Sequence, residues 1–157
     1  VIKVVTIGVY GFDAESFLWT LKQAKVRVLL DLRQRRGVRG HEYAWANSQR
    51  LQAALAEAGI GYEHHVELAP TTDMRQAQYA EDERQGVGKR SRQVLAEEYA
   101  RRYTAEILDQ ADLAPIASGA GVAALFCVEA DPEACHRSLV ADRLTETYGI
   151  EVEHLRP

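Results

Sequence analysis

Two short stretches bring together residue types that can do chemistry: Cys127-Val128-Glu129 and, one turn later, Cys135-His136-Arg137. An ionised thiol is a nucleophile or a soft ligand. A carboxylate at the end of a buried strand can accept a proton, and a histidine carries one near neutral pH. An arginine holds carboxylate or phosphate with a planar fork. Two other apolar runs end in polar groups, Asp31-Leu32-Arg33 and Thr6-Ile7-Gly8-Val9-Tyr10. Strand alternation puts Asp31 and Arg33 on one face, and Cys127 and Glu129 on one face. Carboxylates from two strands can then meet across a crevice, with Thr6, Tyr10, Arg33, Arg36, Arg137 and Tyr103 as candidate substrate contacts.

Plain structural readings stand beside these. Cys127, inside an apolar strand, reads first as a small core residue. Cys135 stays open between packing and reactivity. His136 and Arg137 can form an exposed helix face paired to Glu133 or Asp142, and Asp31–Arg33 can be a structural ion pair.

Spacing removes several familiar chemistries. A cysteine-phosphatase loop needs an arginine at the sixth position after its nucleophile, where this chain has Ala141 and Glu133. No Walker or Gly-x-Gly-x-x-Gly pattern and no Cys-x-x-Cys pair occurs. A metal site from Cys127, Cys135 and a histidine finds no support in the spacing, so no metal is expected and no cofactor is indicated.

The strongest basic feature is the loop holding Arg33, Arg35, Arg36 and Arg39, with Gly37, Gly40 and His41. It reads as a grip for phosphate or nucleic-acid backbone, or as a solvated loop. Lys89, Arg90 and Arg92 make a weaker second cluster beside Gly86 and Gly88. Tyr43 and Trp45 read as cover for the core edge before base-stacking platforms. Leu95, Tyr99, Tyr103 and Ile107 recur at helical spacing, a core-facing stripe first. His64 and His65 alternate to opposite faces, so they do not chelate one metal.

The elements that must position these groups alternate along the chain. Strands are expected at Lys3–Gly8, Val26–Leu32, Ile60–Leu68, Val122–Val128 and Ile150–Leu155. Helices are expected after Asp13, after Asn47 or Ser48 up to Gly59, over Ser91–Gln110, and from Asp131 to Tyr148 with Gly149 as stop. Pro70 to Arg92 reads as a long polar connection that can hold a short helix. This order predicts a Rossmann-like α/β domain over residues 1–157, a mostly parallel sheet with helices on both faces. The 157 residues, 46% hydrophobic, are enough for one core, and a net charge of −4 argues against a wholly basic surface. Two cysteines and no signal-peptide pattern point to a reducing cytoplasm, and no apolar run suits a membrane.

The ordered motifs resemble the bacterial and archaeal domain of unknown function family 488. They are Thr6-Ile7-Gly8, Leu30-Asp31-Leu32-Arg33, Gly59-Ile60-Gly61-Tyr62, the pair Tyr99 and Tyr103, Phe126-Cys127-Val128-Glu129 with Cys135-His136-Arg137, and Val152-Glu153-His154-Leu155. The resemblance implies a compact α/β fold and no established reaction. The chain departs from the family pattern at Val9-Tyr10, where His-Ser is usual, around Arg36 to Gly40, and at Leu68-Ala69-Pro70, where Leu-Gly-Gly is usual.

The residues support three competing functions. One is an enzyme on a phosphate-bearing substrate, a nucleotide or nucleic acid, with Asp31 or Glu129 as base, His136 as acid and Cys135 beside them. Another is a non-catalytic nucleotide or nucleic-acid module using the Arg33–Arg39 loop. The third is a buried structural network of Asp31, Arg33, Glu129 and Arg137.

Overall fold

The structure, a computed structural model, describes residues 1–88, 92 and 94–157. Five strands make one all-parallel sheet: β1 (Lys3–Ile7), β2 (Val26–Asp31), β3 (Gly61–His64), β4 (Val122–Phe126) and β5 (Val152–His154). Their spatial order is β3-β2-β4-β1-β5. The helices are α1 (Ala14–Gln23), α2 (Ser48–Glu57), α3 (Thr72–Gln85), α4 (Glu97–Glu106), α5 (Ala114–Ala117) and α6 (Arg137–Tyr148). On one face, Phe17 and Leu21 of α1 and Leu51 and Leu55 of α2 pack on Val5, Leu29 and Phe126. On the other, Met74, Tyr99, Tyr103, Ile116 and Val140 from α3 to α6 pack on Val4, Leu30 and Leu125. The three-layer α/β arrangement follows, and β4, buried at every position, explains its unbroken apolar run. No helix among the described residues is long and apolar enough to cross a membrane.

Sequence and structure agree closely at several ends. Asp13 caps α1 in a reciprocal pair with Ser16, and Phe12 packs edge-on against Phe17 at 5.7 Å. Gly149 takes a left-handed φ of 67° just past α6.

The differences have physical reasons. The polar connection after Pro70 contains a full helix, α3. Its buried residues are Met74, Gln78 and Asp82, so two of its three inward positions are polar and no apolar stripe marks it. The helix expected over Ser91–Gln110 is shorter, Glu97–Glu106 with a 3-10 turn at Leu108–Gln110. Ser91 and Gln93, like Lys89 and Arg90 of the second basic cluster, lie outside the described residues. The third and fifth strands are also shorter than expected.

The helix expected from Asp131 is broken. A 3-10 turn spans Pro132–Ala134, Cys135 is extended (φ −139°, ψ 147°), and α6 begins at Arg137 with His136 as its N-cap. A continuous helix would fan Cys135, His136 and Arg137 around its circumference. The break instead leaves all three buried.

Chain order and strand order together locate a crevice. The connection leaving β2 passes through the layer of α2, and the one leaving β4 passes through the opposite layer, that of α6. Neighbouring strands whose connections diverge leave a gap at their carboxyl ends, where open parallel sheets take ligands.

Candidate active site

The crevice at the ends of β2 and β4 is a cleft with a narrow inner recess of about 50 Å³ and a wider outer part of about 750 Å³. Cys127, Glu129 and His136 line the inner recess, together with Tyr99 of α4. Cys127 Sγ lies 3.4 Å from Glu129 Oε2 and 3.7 Å from His136 Nδ1, and Cys135 Sγ lies 3.7 Å from the same nitrogen. The other ring nitrogen, Nε2, is 3.0 Å from the Leu32 carbonyl oxygen. A carbonyl only accepts, so Nε2 carries a proton and, in the neutral ring, Nδ1 turns its lone pair toward both sulfurs. The Tyr103 ring packs on the imidazole at 5.3 Å, and its hydroxyl donates to the Leu68 carbonyl.

Burial sets the protonation tendencies here. It pushes the Cys127 thiol well up, and the neighbouring Cys135 and Glu129 charges add to the effect. Burial opposes ionisation of Cys135 too, yet the Cys127 contact and the cationic His136 and Arg137 hold it well below the ordinary thiol range. Burial disfavours the His136 cation, but the adjacent Cys135 thiolate raises that group above the usual histidine value. Burial also lifts the Tyr99 hydroxyl well above its usual range.

Cations line the cleft. Arg92 is buried and reaches Asp82 through Nε at 3.0 Å, Glu129 Oε1 at 3.2 Å and the Ala134 carbonyl at 3.3 Å. Asp82 is itself fixed by Gln78, whose side-chain oxygen accepts from the Ala96 amide. Arg75 of α3 donates to Gln34 and to the Tyr79 hydroxyl at the border of the two compartments. Arg35 stands exposed at the same border and pairs with no carboxylate among the described residues; Arg39 lines the outer part.

Asp31 does not join Glu129. β2 and β4 pair with Asp31 opposite Phe126, so Asp31 shares a face with Phe126, and Cys127 and Glu129 follow on the opposite parity. On its own face Asp31 accepts a two-pronged bond from Arg33 (2.9 and 2.8 Å) and one from the Tyr62 hydroxyl (2.6 Å). Arg33 also donates to the Ala46 carbonyl and lies 4.7 Å from the Phe126 ring centre. The expected meeting of two carboxylates in one crevice therefore does not occur. Arg33 still lines the inner recess, but its charge is committed to Asp31.

The remaining candidates divide in the same way. Tyr10 lines the outer cleft and packs on Tyr43 at 5.2 Å. Arg36 donates to the Tyr62 hydroxyl on the Asp31 side. Thr6 Oγ1 bonds His154 Nδ1 at 2.7 Å, tying β1 to β5. Arg137, fully buried, donates to the Glu129 and Ala130 carbonyls and fixes the turn after β4. That turn needs Gly8, since a Cβ there would stand 2.0 Å from the Glu129 carbonyl oxygen. Cys127 is buried, as its place in an apolar strand implies, and its sulfur also lies among the polar groups of the recess. Tyr99 belongs to the paired-tyrosine stripe, whereas Asp82, Gln78, Arg75 and Tyr79 carry no motif in the sequence; the one signal that could mark them is the i, i+4 spacing of Gln78 and Asp82.

The sequence model of the family described as Domain of unknown function DUF488 matches residues 13–144 of the chain. No curated protein and no solved structure matches it.

Proposed function

We propose that this chain, which belongs to the family described as Domain of unknown function DUF488, is an enzyme acting on a phosphate-bearing substrate, a nucleotide or nucleic-acid end, held in the cleft between the β2 and β4 ends. The observation that carries the reading is the composition of that cleft: Arg35 and Arg75 at the border of its two compartments, Arg39 in the outer part, and one carboxylate, Glu129, in the inner recess. Arginines bind phosphoryl oxygens as planar forks and stabilise charge that develops on them. Glu129, oriented by Arg92, is the group placed to accept a proton. His136 has its Nε2 proton on a backbone carbonyl and Nδ1 toward the sulfurs, so it orders the recess rather than delivering a proton to substrate.

Size favours more than a bare phosphate. The outer part, about 750 Å³, lies in the range of small-molecule sites, whereas the recess accepts only a small group. A base and sugar in the outer part, with the phosphoryl group toward the recess, suit both dimensions. Nucleic-acid binding by the whole Arg33–Arg39 loop has less support, because Arg33 and Arg36 are turned inward to Asp31 and Tyr62.

Calorimetric titration with a nucleoside monophosphate and with inorganic phosphate tests the reading. We expect the nucleotide to bind more tightly than phosphate. Arg35→Ala should weaken it about tenfold, one charge-assisted contact, with stability unchanged within about 0.5 kcal/mol. Equal affinity of wild type and Arg35→Ala would refute it.

A further inference from the structure

We infer that Cys127, Cys135 and His136 form a binding site for a borderline-soft divalent metal, zinc by its chemistry, with three protein ligands and a fourth position open to the cleft. The three donor atoms lie within 4.8 Å of one another, and all three residues are buried. A tetrahedral zinc with bonds of about 2.3 Å to sulfur and 2.0–2.1 Å to nitrogen separates a sulfur from a nitrogen by about 3.6 Å. Both sulfur-to-Nδ1 distances are 3.7 Å. Both sulfur-to-nitrogen edges thus already stand at the spacing that coordination requires, and the sulfur–sulfur edge lies within 4.8 Å, against about 3.8 Å for tetrahedral zinc. The donors come from a strand end, an extended residue and a helix N-cap.

The surroundings match a metal centre in two further respects. His136 gives its remote nitrogen to the Leu32 carbonyl, the outer-sphere bond that fixes a ligating ring with Nδ1 unprotonated. Charge is also balanced. Binding replaces two protons, one from Cys127 and one held by the Cys135–His136 pair, by one dication, so the buried total is unchanged. The buried arginines Arg92 and Arg137 equal in number the buried carboxylates Asp82 and Glu129, both of which pair with Arg92, while Arg137 donates to backbone carbonyls. Two thiolates with an imidazole select zinc or cobalt over magnesium or calcium, which take oxygen ligands.

Three ligands rather than four is the pattern of a site that keeps a position for water or substrate. Cys127 and His136 line the inner recess, so the open position faces the place where the phosphoryl group is proposed to sit. Glu129 stays outside the ligand set, one oxygen held by Arg92 and the other beside Cys127 Sγ. The metal site stands on its own donors and does not depend on the nature of the substrate.

The test is titration of the reduced full-length chain with cobalt(II), followed by its absorption spectrum, then with zinc. The expected result is saturation at about one cobalt per chain. It should show a near-ultraviolet thiolate-to-cobalt charge-transfer band and intense visible bands of a tetrahedral ion, both erased by zinc. Cys135→Ser should halve the charge-transfer intensity. It should also weaken zinc binding by more than the roughly 10–100-fold typical of losing an outer-sphere partner. If that variant does not fold, the wild-type spectrum decides. A weak spectrum of hydrated cobalt, a charge-transfer band that survives unchanged in folded Cys135→Ser, or a Cys127–Cys135 disulfide persisting in reductant would overturn the inference. None of these outcomes depends on phosphate binding.

Discussion

The sheet carries a buried arginine–carboxylate pair on each face, and the two are built to different ends. On the α1–α2 side Asp31 meets Arg33 at two points, with Tyr62 on the same carboxylate and the Ala46 carbonyl on the same guanidinium. That pair is saturated by protein. On the α3–α6 side Arg92 is shared between Asp82 and Glu129, and Glu129 also faces a thiol and an open recess. A saturated pair fixes a loop; a pair with one carboxylate turned to a cavity can exchange protons with what enters it. The difference teaches that a charged motif at a strand end is not by itself a site. Which side of the sheet it falls on, and what already satisfies it, decide.

Paired substitutions sharpen the comparison. Asp31→Asn leaves Arg33 buried without a counter-charge and should cost about 3–5 kcal/mol in denaturant unfolding. Glu129→Gln leaves Arg92 its Asp82 partner, so the loss should be about 1.5–3 kcal/mol, the range for a hydrogen bond to a charged group. Anion affinity in the cleft should hold or rise as a negative charge leaves it. Equal destabilisation by the two variants would mean that both faces are structural. Tyr62→Phe should cost about 1.5 kcal/mol in the same assay and leave nucleotide binding untouched; weakened binding would tie the Asp31 face to the site.

The smallest effect concerns neither pair. Burial lowers the His154 pKa, with Glu133 and Asp142 opposing and Arg137 and Arg156 assisting. Its folded-state value lies below its unfolded value, so the unfolded chain binds more protons in that window. Stability should therefore decline as pH falls through about 6.5, the unperturbed histidine value, and level off below the folded-state pKa. The ring is only partly buried, so the effect is shallow. An unchanged slope in His154→Asn, measured by thermal unfolding across that window, would assign the decline to other groups.

Much of the fold was legible in the sequence because it rests on apolar periodicity and caps. The unbroken run at β4, the Asp13 cap and the Gly149 stop each act locally. The cleft was legible only in part. Glu129, Cys127 and His136 announced themselves by type and spacing, whereas α3 did not, because its inward face is polar and its meaning depends on Arg92 ten residues beyond Asp82. The separation of Asp31 from Glu129 was hidden too. Alternation within a strand gives each pair a common face, but only the Asp31–Phe126 register says that the two faces differ. The break at Cys135 was hidden for a related reason: Asp131 and Pro132 favour a helix start, and the carbonyls that hold Arg137 lie upstream of it.

The most direct test of the central claim, that the functional cleft lies on the Glu129 side of the β2–β4 crevice, is a backbone amide chemical-shift map during titration with a nucleoside monophosphate. The expected shifts are confined to the segment from Arg33 to Arg39, to Arg75 and Tyr79, and to Cys127 through Glu129. Shifts centred on Tyr62, His64 and the α2 face, with Cys127 through Glu129 unmoved, would contradict it.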